Sequence, residues 1–348
     1  MKAFVLRATG GLELTAVAEV RDAPLPGPDQ VRVAIRAAAL NHLDLFVIQG
    51  LPGLPRSLPH VLGADGAGVI ETVGSGVGGM QPGDPVLINP GISDYSCEFC
   101  RAGEHSLCTE YGILGEHHPG TLAEWITVPG HNVRPLPSLD PPLSWGEAAA
   151  FSLVSLTAWR MIVTRAAVKA GEWVLVWGIG GGVSLAAMRI AKLRGATVIV
   201  TSSSDAKLER ARGLGADVTL NHRTQQIARE VRGLTGKRGV DVVVENVGEA
   251  TWAESLRCLA KGGRIVICGG TSGPKLVTDV RPLFWHQFSI LGSTMGNEAE
   301  YAVVVGELGQ GHLRPIVDAE FPLERAREAF QRLEQGGTFG KIAVTVSA

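Results

Sequence analysis

Three cysteines lie close together in the chain. Cys97, Cys100 and Cys108 fall within one short segment, and the other two cysteines, Cys258 and Cys268, lie elsewhere. Sulfur ligands at such short spacings are typical of zinc sites, whereas disulfide frameworks occur in small secreted chains with cysteines spread along them. The cysteine pattern therefore indicates a metal site rather than a set of disulfides.

A second motif with chemical meaning is rich in glycine. The apolar run WVLVW leads directly into the segment 178–184, GIGGGVS, and a helical pattern follows. Glycines let the backbone approach a pyrophosphate, and the start of a helix offers unpaired N–H groups and the positive end of its dipole. We therefore predict a dinucleotide phosphate loop. Its binding residues are Gly178, Gly180, Gly181, Gly182 and Val183.

The end of the next predicted strand bears on the choice of dinucleotide. An NAD site usually places Asp or Glu about 20 residues further on, where it binds the ribose 2′-hydroxyl. Here the strand ends in TSSS, with Ser202 and Ser203 at the tip and no acid. Small hydroxyls leave room for a 2′-phosphate, and Lys207 and Arg223 are available to pair with it, although Lys207 also fits an ordinary solvated helix position. The pattern favours NADP(H).

Composition limits the classes of partner. The chain has 32 Lys and Arg against 34 Asp and Glu, so no basic excess exists to neutralise nucleic-acid phosphates. Hydrophobic residues make up 45% of the sequence, which excludes wholesale disorder. The N-terminus has no secretory apolar core, and the longest uncharged stretch is too short to span a bilayer. We expect a cytoplasmic protein that binds neither nucleic acid nor membrane.

The elements that must position these motifs fall into two groups. The first ~125 residues contain short apolar or alternating runs broken by turns and no long helical pattern, which predicts an all-β barrel. From about Ser144, Val- and Ile-rich runs alternate with helical patterns, which predicts a doubly wound parallel sheet. The last ~50 residues hold one helix and one strand. The predicted domains are 1–153 with 294–348, and 154–293.

Several motifs together resemble the medium-chain dehydrogenase/reductase superfamily of zinc alcohol dehydrogenases and quinone oxidoreductases. They are LGADGAGV at 62–69, QPGD at 81–84, the cysteine and glycine segments, and the stretch from Leu208 to Asp217. The resemblance implies an α/β plus all-β fold, in which a GroES-like β-barrel catalytic domain joins a Rossmann domain. It implies a homo-oligomer, dimer or tetramer, and a small-molecule substrate. Further cofactor positions implied by it are Thr157, Val247, Gly269, Gly270 and Thr271.

The resemblance also assigns two metal sites. In the family's structural zinc lobe, Asp94 stands in the first ligand place and Cys97, Cys100 and Cys108 in the other three. Either Asp94 completes a site for one structural zinc per chain, or the lobe has lost its metal. The three catalytic-zinc positions of the alcohol dehydrogenases correspond to Asn41, Ala64 and Leu153, which do not bind metal as the family does. No catalytic zinc is expected.

The segment 41–44, NHLD, resembles the N-x-x-D stretch of zinc-free quinone and enone reductases. By this resemblance Asn41 and Asp44 are the catalytic candidates, Asn41 as an amide donor and Asp44 as a support for the loop. An alternative metal site would use His42, His60 and Asp65. The pair at 117–118, HH, lies between turn residues and is expected on a surface loop.

The expected function is hydride transfer between NADPH and a small carbonyl, enone or quinone, without catalytic zinc. Two alternatives remain at this point. One is a zinc-dependent alcohol dehydrogenase with an unconventional ligand set, and the other is a nucleotide-binding relative without turnover.

Overall fold

The computed structural model describes residues 1–51 and 57–347, and the chain forms two compact units. The first unit comprises Met1–Leu153 and Asn297–Ala348, and the second comprises Val154–Gly296. The second crossover thus lies three residues beyond the predicted boundary at 293/294. It coincides with a helix start, because Asn297 donates its N–H to Glu300 Oε2 at 2.7 Å and accepts from the Glu300 N–H at 2.8 Å.

The strands and helices of the described residues are as follows. The strands are β1 Lys2–Leu6, β2 Thr15–Glu19, β3 Gln30–Ala39, β4 His60–Val61, β5 Asp65–Val73, β6 Pro85–Ile88, β7 Gly91–Ile92, β8 Gly112–Ile113, β9 Trp125–Pro129, β10 Val133–Pro135, β11 Trp173–Val176, β12 Thr197–Ser202, β13 Val218–Asn221, β14 Val240–Glu245, β15 Leu259–Ile267, β16 Ser289–Gly292, β17 Val317–Pro322 and β18 Lys341–Thr345. The helices are α1 His42–Gln49, α2 Glu98–Arg101, α3 Trp145–Ala149, α4 Ser152–Trp159, α5 Gly182–Leu193, α6 Asp205–Gly213, α7 Ile227–Leu234, α8 Glu249–Cys258, α9 Val280–Trp285, α10 Glu298–Gly309 and α11 Ala326–Gln335.

The first unit is built mainly from antiparallel β-structure. Its largest sheet has the order β10-β6-β5-β3-β18-β17, with β9 also paired to β3. Strand β3 alternates as predicted, since Val31, Val33 and Ile35 are fully buried while the residues between them are partly exposed. The C-terminal strand β18 pairs antiparallel with β3, Ala343 opposite Ala39. The chain end therefore returns to the first unit, as the family resemblance implied.

The expectation of an all-β first region is wrong at α1, whose segment HLDLFVIQ is helical. The helix begins where the Asp44 carboxylate accepts a hydrogen bond from the Asn41 N–H, with Oδ2 at 2.7 Å from the nitrogen. This is the acidic half of a capping box, with Asp44 in the place where Glu or Gln is usual. Leu45, Val47 and Ile48 are buried, so apolar side chains on several faces obscured the 3.6-residue period.

The second unit is the predicted doubly wound sheet. Its six strands are all parallel and have the order β13-β12-β11-β14-β15-β16. The chain leaves β11 toward β12 on one side and later returns to place β14 on the other, so β11 borders the topological switch point where such folds bind ligands. The predicted helix ends at Gly195 and Gly215 are confirmed by their left-handed φ values of +78° and +100°.

Within the described parts of the chain, no helix has the length and apolar character needed to cross a membrane.

Candidate cofactor site and active-site residues

The predicted phosphate loop has the backbone geometry that glycine permits. Gly178 and Gly180 have φ values of +65° and +125°, a region that other residues rarely adopt. Helix α5 begins at Gly182, and no side chain among the described residues caps it at Gly181. The first N–H groups of this helix therefore keep their hydrogen-bonding capacity for an anion. Ser184 Oγ holds the loop closed by donating toward the carbonyls of Gly178 and Gly181, each at 2.9 Å.

The loops after β14 and β15 meet the phosphate loop at the same sheet edge. A side-chain methyl of Val247 lies 3.6 Å from where Gly178 would carry a Cβ. Gly248 passes so close to Gly270 that a Cβ on Gly248 would lie 2.9 Å from the Gly270 Cα. Thr271 directs its hydroxyl at the carbonyl of Asn246, at 3.4 Å. The predicted residues from these three loops are thus brought together.

Glu245, which the sequence reasoning missed, anchors the loop after β14. Its side chain is fully buried and its Oε1 accepts the N–H groups of Val247 and Gly248 at 2.9 and 3.1 Å. The hydroxyls of Thr251 and Ser255 also donate to the carboxylate. A signal existed in the sequence, because an acid that ends a continuous Val run must find several donors when it is buried.

The residues predicted to recognise a 2′-phosphate lie at the ends of β12 and β13. Ser202 ends β12 opposite Asn221, which ends β13. Ser203 follows Ser202, and Arg223 follows Asn221 by two residues, with its N–H bonded to Asn221 Oδ1 at 3.0 Å. The nearby acid, Asp205, is held by the Asn221 amide at 2.7 Å. The Asn221 amide therefore already binds the Asp205 carboxylate.

Lys207 and Thr157 complete the predicted cofactor set. Lys207 lies in the first turn of α6, where its N–H meets Ser204 Oγ at 3.4 Å. Thr157 lies on α4, buried, with its hydroxyl 3.5 Å from the sulfur of Met295.

In the first unit, a buried polar cluster surrounds Asp65. The Lys341 ammonium lies 2.9 Å from Asp65 Oδ2, and their side chains are 5% and 0% exposed. Asn41 Nδ2 donates to the same oxygen at 3.0 Å, and the Leu153 N–H donates to Asp65 Oδ1 at 2.8 Å. Lys341 also donates to Asn41 Oδ1. Every side chain of the cluster is thus paired with another.

Lys341 was not predicted as a site residue, and it places a cation where none was expected. The other Asn41 amide hydrogen points at the Ala39 carbonyl, at 3.4 Å. A substrate oxygen that took a hydrogen bond from Asn41 would have to displace this weak bond, because the bond to Asp65 is the shorter one.

Asp44 lies beside this cluster, fully buried. Burial raises the pKa of Asp44 to about 7, against the opposing effects of the Asn41 N–H and the Lys341 charge. Neighbouring Asp65 adds to the increase. The position that the resemblance assigned as a loop support is therefore a carboxyl group that changes its protonation near neutral pH.

The cysteine lobe forms a compact donor set. One ligand atom from each of Asp94, Cys97, Cys100 and Cys108 lies within 4.8 Å of the others. A tetrahedral zinc with Zn–S bonds near 2.3 Å separates its ligands by roughly 3.8 Å, so these residues fit the ion. Backbone N–H groups already point at the ligand atoms, Cys97 N at Asp94 Oδ1 (3.0 Å) and Asp94 N at Cys108 Sγ (3.3 Å). The N–H groups of Ser96 and Cys97, which both donate to Asp94 Oδ1, hold the pKa of Asp94 well below its usual range.

Other proposed metal ligands do not converge. Among the described residues, the Asp94 lobe is the only group of three or more His, Cys, Asp or Glu side chains placed to share an ion, so His42, His60 and Asp65 are not assembled into a site. His60 Nε2 bonds the Gly115 carbonyl at 3.0 Å, and Asp65 is committed to Lys341. His117 is exposed on a loop, as expected.

Comparison with known proteins fits this geometry. Residues 27–138 match the family model of the alcohol dehydrogenase GroES-like domain, and residues 182–309 match that of the zinc-binding dehydrogenases. A zinc-type alcohol dehydrogenase-like protein of Schizosaccharomyces pombe is 34% identical over 327 residues, 92% of this chain and 91% of its own. The chain belongs to the medium-chain dehydrogenase/reductase family. This medium-chain dehydrogenase/reductase also matches a quinone oxidoreductase of Homo sapiens, 28% identical over 98% of this chain and 97% of the relative.

A solved structure described as an NAD-dependent alcohol dehydrogenase has 47% sequence identity to this family member. It superposes with a TM-score of 0.94 over 100% of both chains. The family includes dehydrogenases and reductases, so its fold alone does not decide between them. The residues at the active-site positions must do so.

Proposed function

We propose that the chain is an NADPH-dependent oxidoreductase that reduces a conjugated enone, a quinone or a similar small carbonyl without catalytic zinc. The observation that carries this proposal is the cluster of Asn41, Asp65 and Lys341. Asn41 takes the place of one family zinc ligand, and the other two places hold Ala64 and Leu153, which offer no metal-binding side chain. The carboxylate of Asp65, which follows Ala64 in the chain, is bound by Lys341 instead.

The second unit supports the cofactor half of the proposal. Gly178, Gly180 and the first N–H groups of α5 would bind the pyrophosphate. Ser202 and Ser203 would admit the 2′-phosphate, and Lys207 and Arg223 would pair with it. When bound, the nicotinamide supplies the hydride. Glu245 holds the Val247 loop in place, and Thr157 and the turn 269–271 complete the proposed set.

The charge that develops during reduction favours an unsaturated substrate. Reduction of an isolated ketone places a full negative charge on one oxygen, which zinc enzymes stabilise with a Lewis acid. In a conjugated enone or quinone the charge spreads along the π-system to a distant oxygen, where hydrogen-bond donors and a fixed positive charge are effective. The first unit offers donors of this kind in Asn41 and Lys341.

The cysteine lobe would hold one structural zinc per chain. Asp94, Cys97, Cys100 and Cys108 supply four protein ligands, which leaves no open position for chemistry. The zinc would stabilise the fold of this lobe and take no part in hydride transfer.

The test is an assay of chelated enzyme, with folding followed by circular dichroism in parallel. We expect NADPH oxidation with a panel of enones and quinones to exceed activity on simple secondary alcohols, and folded enzyme to keep most of its turnover after chelation. Loss of activity without unfolding, restored by zinc, would favour the alternative of a zinc-dependent alcohol dehydrogenase. Binding of NADPH without turnover on any panel member would favour a non-catalytic role.

We also propose that the protein is a homo-oligomer located in the cytoplasm. In the part of the chain that the structure describes, strand β16 is an edge of the parallel sheet and pairs with β15 alone. Ile290 on this strand is 41% exposed, and Phe284 and Trp285 in α9, just before it, are 66% and 74% exposed. An unpaired edge beside large exposed apolar side chains is unusual for a monomer and fits a second copy of the chain.

A further inference from the structure

Lys341 is a buried cation that the sequence motifs do not account for. Burying an ammonium group is costly unless it is paired, and removing one partner of such a pair is strongly destabilising. A lysine side chain exposed to solvent would avoid that cost. The pairing with Asp65 and Asn41 therefore requires a reason beyond the fold.

The backbone holds Lys341 rigidly in this position. Its N–H donates to the Ile316 carbonyl at 2.8 Å, and the preceding Gly340 has a φ of +121°. A Cβ on Gly340 would lie 2.4 Å from the Ile316 oxygen, so only glycine lets the strand approach this closely. Strand β18 therefore fixes the backbone position of Lys341. Sites that need precise geometry are built on such rigid elements.

The contacts of the ammonium link the three segments that hold metal in zinc-dependent members of the family. One acceptor is Asn41, at the first of those positions. The other is Asp65, which directly follows Ala64 and also accepts the N–H of Leu153, at the third position. A single positive charge thus connects all three segments through one carboxylate and one amide.

The ammonium also determines which way the Asn41 amide faces. Because Lys341 only donates, it binds the amide oxygen, and Nδ2 must then turn to Asp65. Asp65, which only accepts, selects the same orientation of the amide, so the two charged partners act together. An ammonium has three hydrogens, and the described residues provide acceptors for two of them.

We propose that Lys341 is the positioning residue of the reductase site, an internal cation that aligns Asn41 and Asp65 and supplies the positive potential that a metal supplies in zinc-dependent relatives. This inference rests on the proposed function. It differs from a purely structural ion pair, because it requires the charge itself for turnover. A structural pair can be replaced by neutral residues without loss of activity.

The experiment compares three variants with the wild-type enzyme. Lys341→Met removes the charge and leaves Asp65 buried and unpaired, so the melting temperature should fall by more than about 5 °C and the turnover at least tenfold. The double variant Asp65→Asn, Lys341→Met removes both charges. Its melting temperature should return to near the wild-type value, while its turnover stays at least tenfold reduced and the KM for NADPH changes less than threefold. Lys261→Met, at an exposed position in the second unit, is the matched control and should match the wild type in both measurements.

Recovery of both stability and turnover in the double variant would overturn the inference and leave the proposed function standing. Enone or quinone reduction absent from the wild-type enzyme, or dependent on added zinc, would overturn the proposed function and this inference with it. If Lys341→Met does not fold, the double variant still distinguishes a positioning role of Lys341 from a purely structural one. It contains no buried, unpaired Asp65 carboxylate and should therefore fold.

Discussion

Asp44 should make the protein less stable as the pH rises. Its pKa is about 7 in the folded chain and 3.8 as the ordinary value, so the folded state holds a proton that the unfolded state has released. In that pH range folding takes up a proton, and stability falls with increasing pH. At 1.36 kcal/mol for each pKa unit, the full loss is about 4 kcal/mol, of which about 3 kcal/mol falls between pH 5 and pH 8.5.

Asp44→Asn tests this quantity, because asparagine has the shape of the protonated acid and keeps an oxygen for the Asn41 N–H. Urea denaturation of both proteins at pH 5 and pH 8.5 gives the difference in free energy of unfolding at each pH. The titrations of groups that the substitution does not affect cancel in that comparison. We expect the free energy of unfolding of the variant, relative to that of the wild type, to increase by about 3 kcal/mol from pH 5 to pH 8.5.

The matched control is Asp140→Asn, at an exposed position of the first unit. Its stability difference from the wild type should be the same at both pH values. The account of Asp44 burial is wrong if the stability difference between Asp44→Asn and the wild type is the same at both pH values. It is also wrong if that difference shifts in favour of the wild type from pH 5 to pH 8.5.

Three further outcomes are expected. Metal analysis of protein purified without added zinc should give about one equivalent of zinc per chain. The variant Cys100→Ser should lower the melting temperature more than the activity per folded molecule. Protein without metal and with three reactive thiols would contradict the structural zinc. The wild-type kcat/KM should favour NADPH over NADH at least tenfold. The variant Ser202→Asp should abolish or reverse that preference, because the new carboxylate repels the 2′-phosphate. Equal kcat/KM values for the two cofactors in the wild type would exclude NADPH as the preferred cofactor. Ile290→Lys at the β16 edge should reduce the molar mass measured by light scattering, and an unchanged mass would place the oligomer interface elsewhere.

The backbone geometry of the glycine segment was largely predictable from the sequence, because its determinants are local. The glycines of the phosphate loop directly follow a strand and precede a helix, so chain order alone places them at a helix start. The absence of an acid at Ser202 can be read at a single position. Both features depend on backbone conformation within a few residues, and the second unit has the predicted parallel sheet.

Helix α1 was also encoded locally but was not recognised. The pair Asn41 and Asp44 was interpreted through its likeness to reductase motifs, whereas the same spacing is a capping signal for the helix that follows. Its apolar residues Leu45, Val47 and Ile48 are all buried although they are close together in the chain, and the usual amphipathic pattern is therefore weak.

The chemistry of the Asp65 cluster was decided only by the tertiary structure. Lys341 lies 276 residues from Asp65 and 300 residues from Asn41 in the chain, and no spacing rule connects them. The pKa of Asp44 follows from its complete burial, which depends on where α1 packs. The sequence by itself determined the glycine-rich loop between strand and helix, the donor types in the cysteine lobe and the residue types at the three family zinc positions. Pairing and desolvation act through space between distant segments, and for that reason only the folded chain could place a cation beside Asn41.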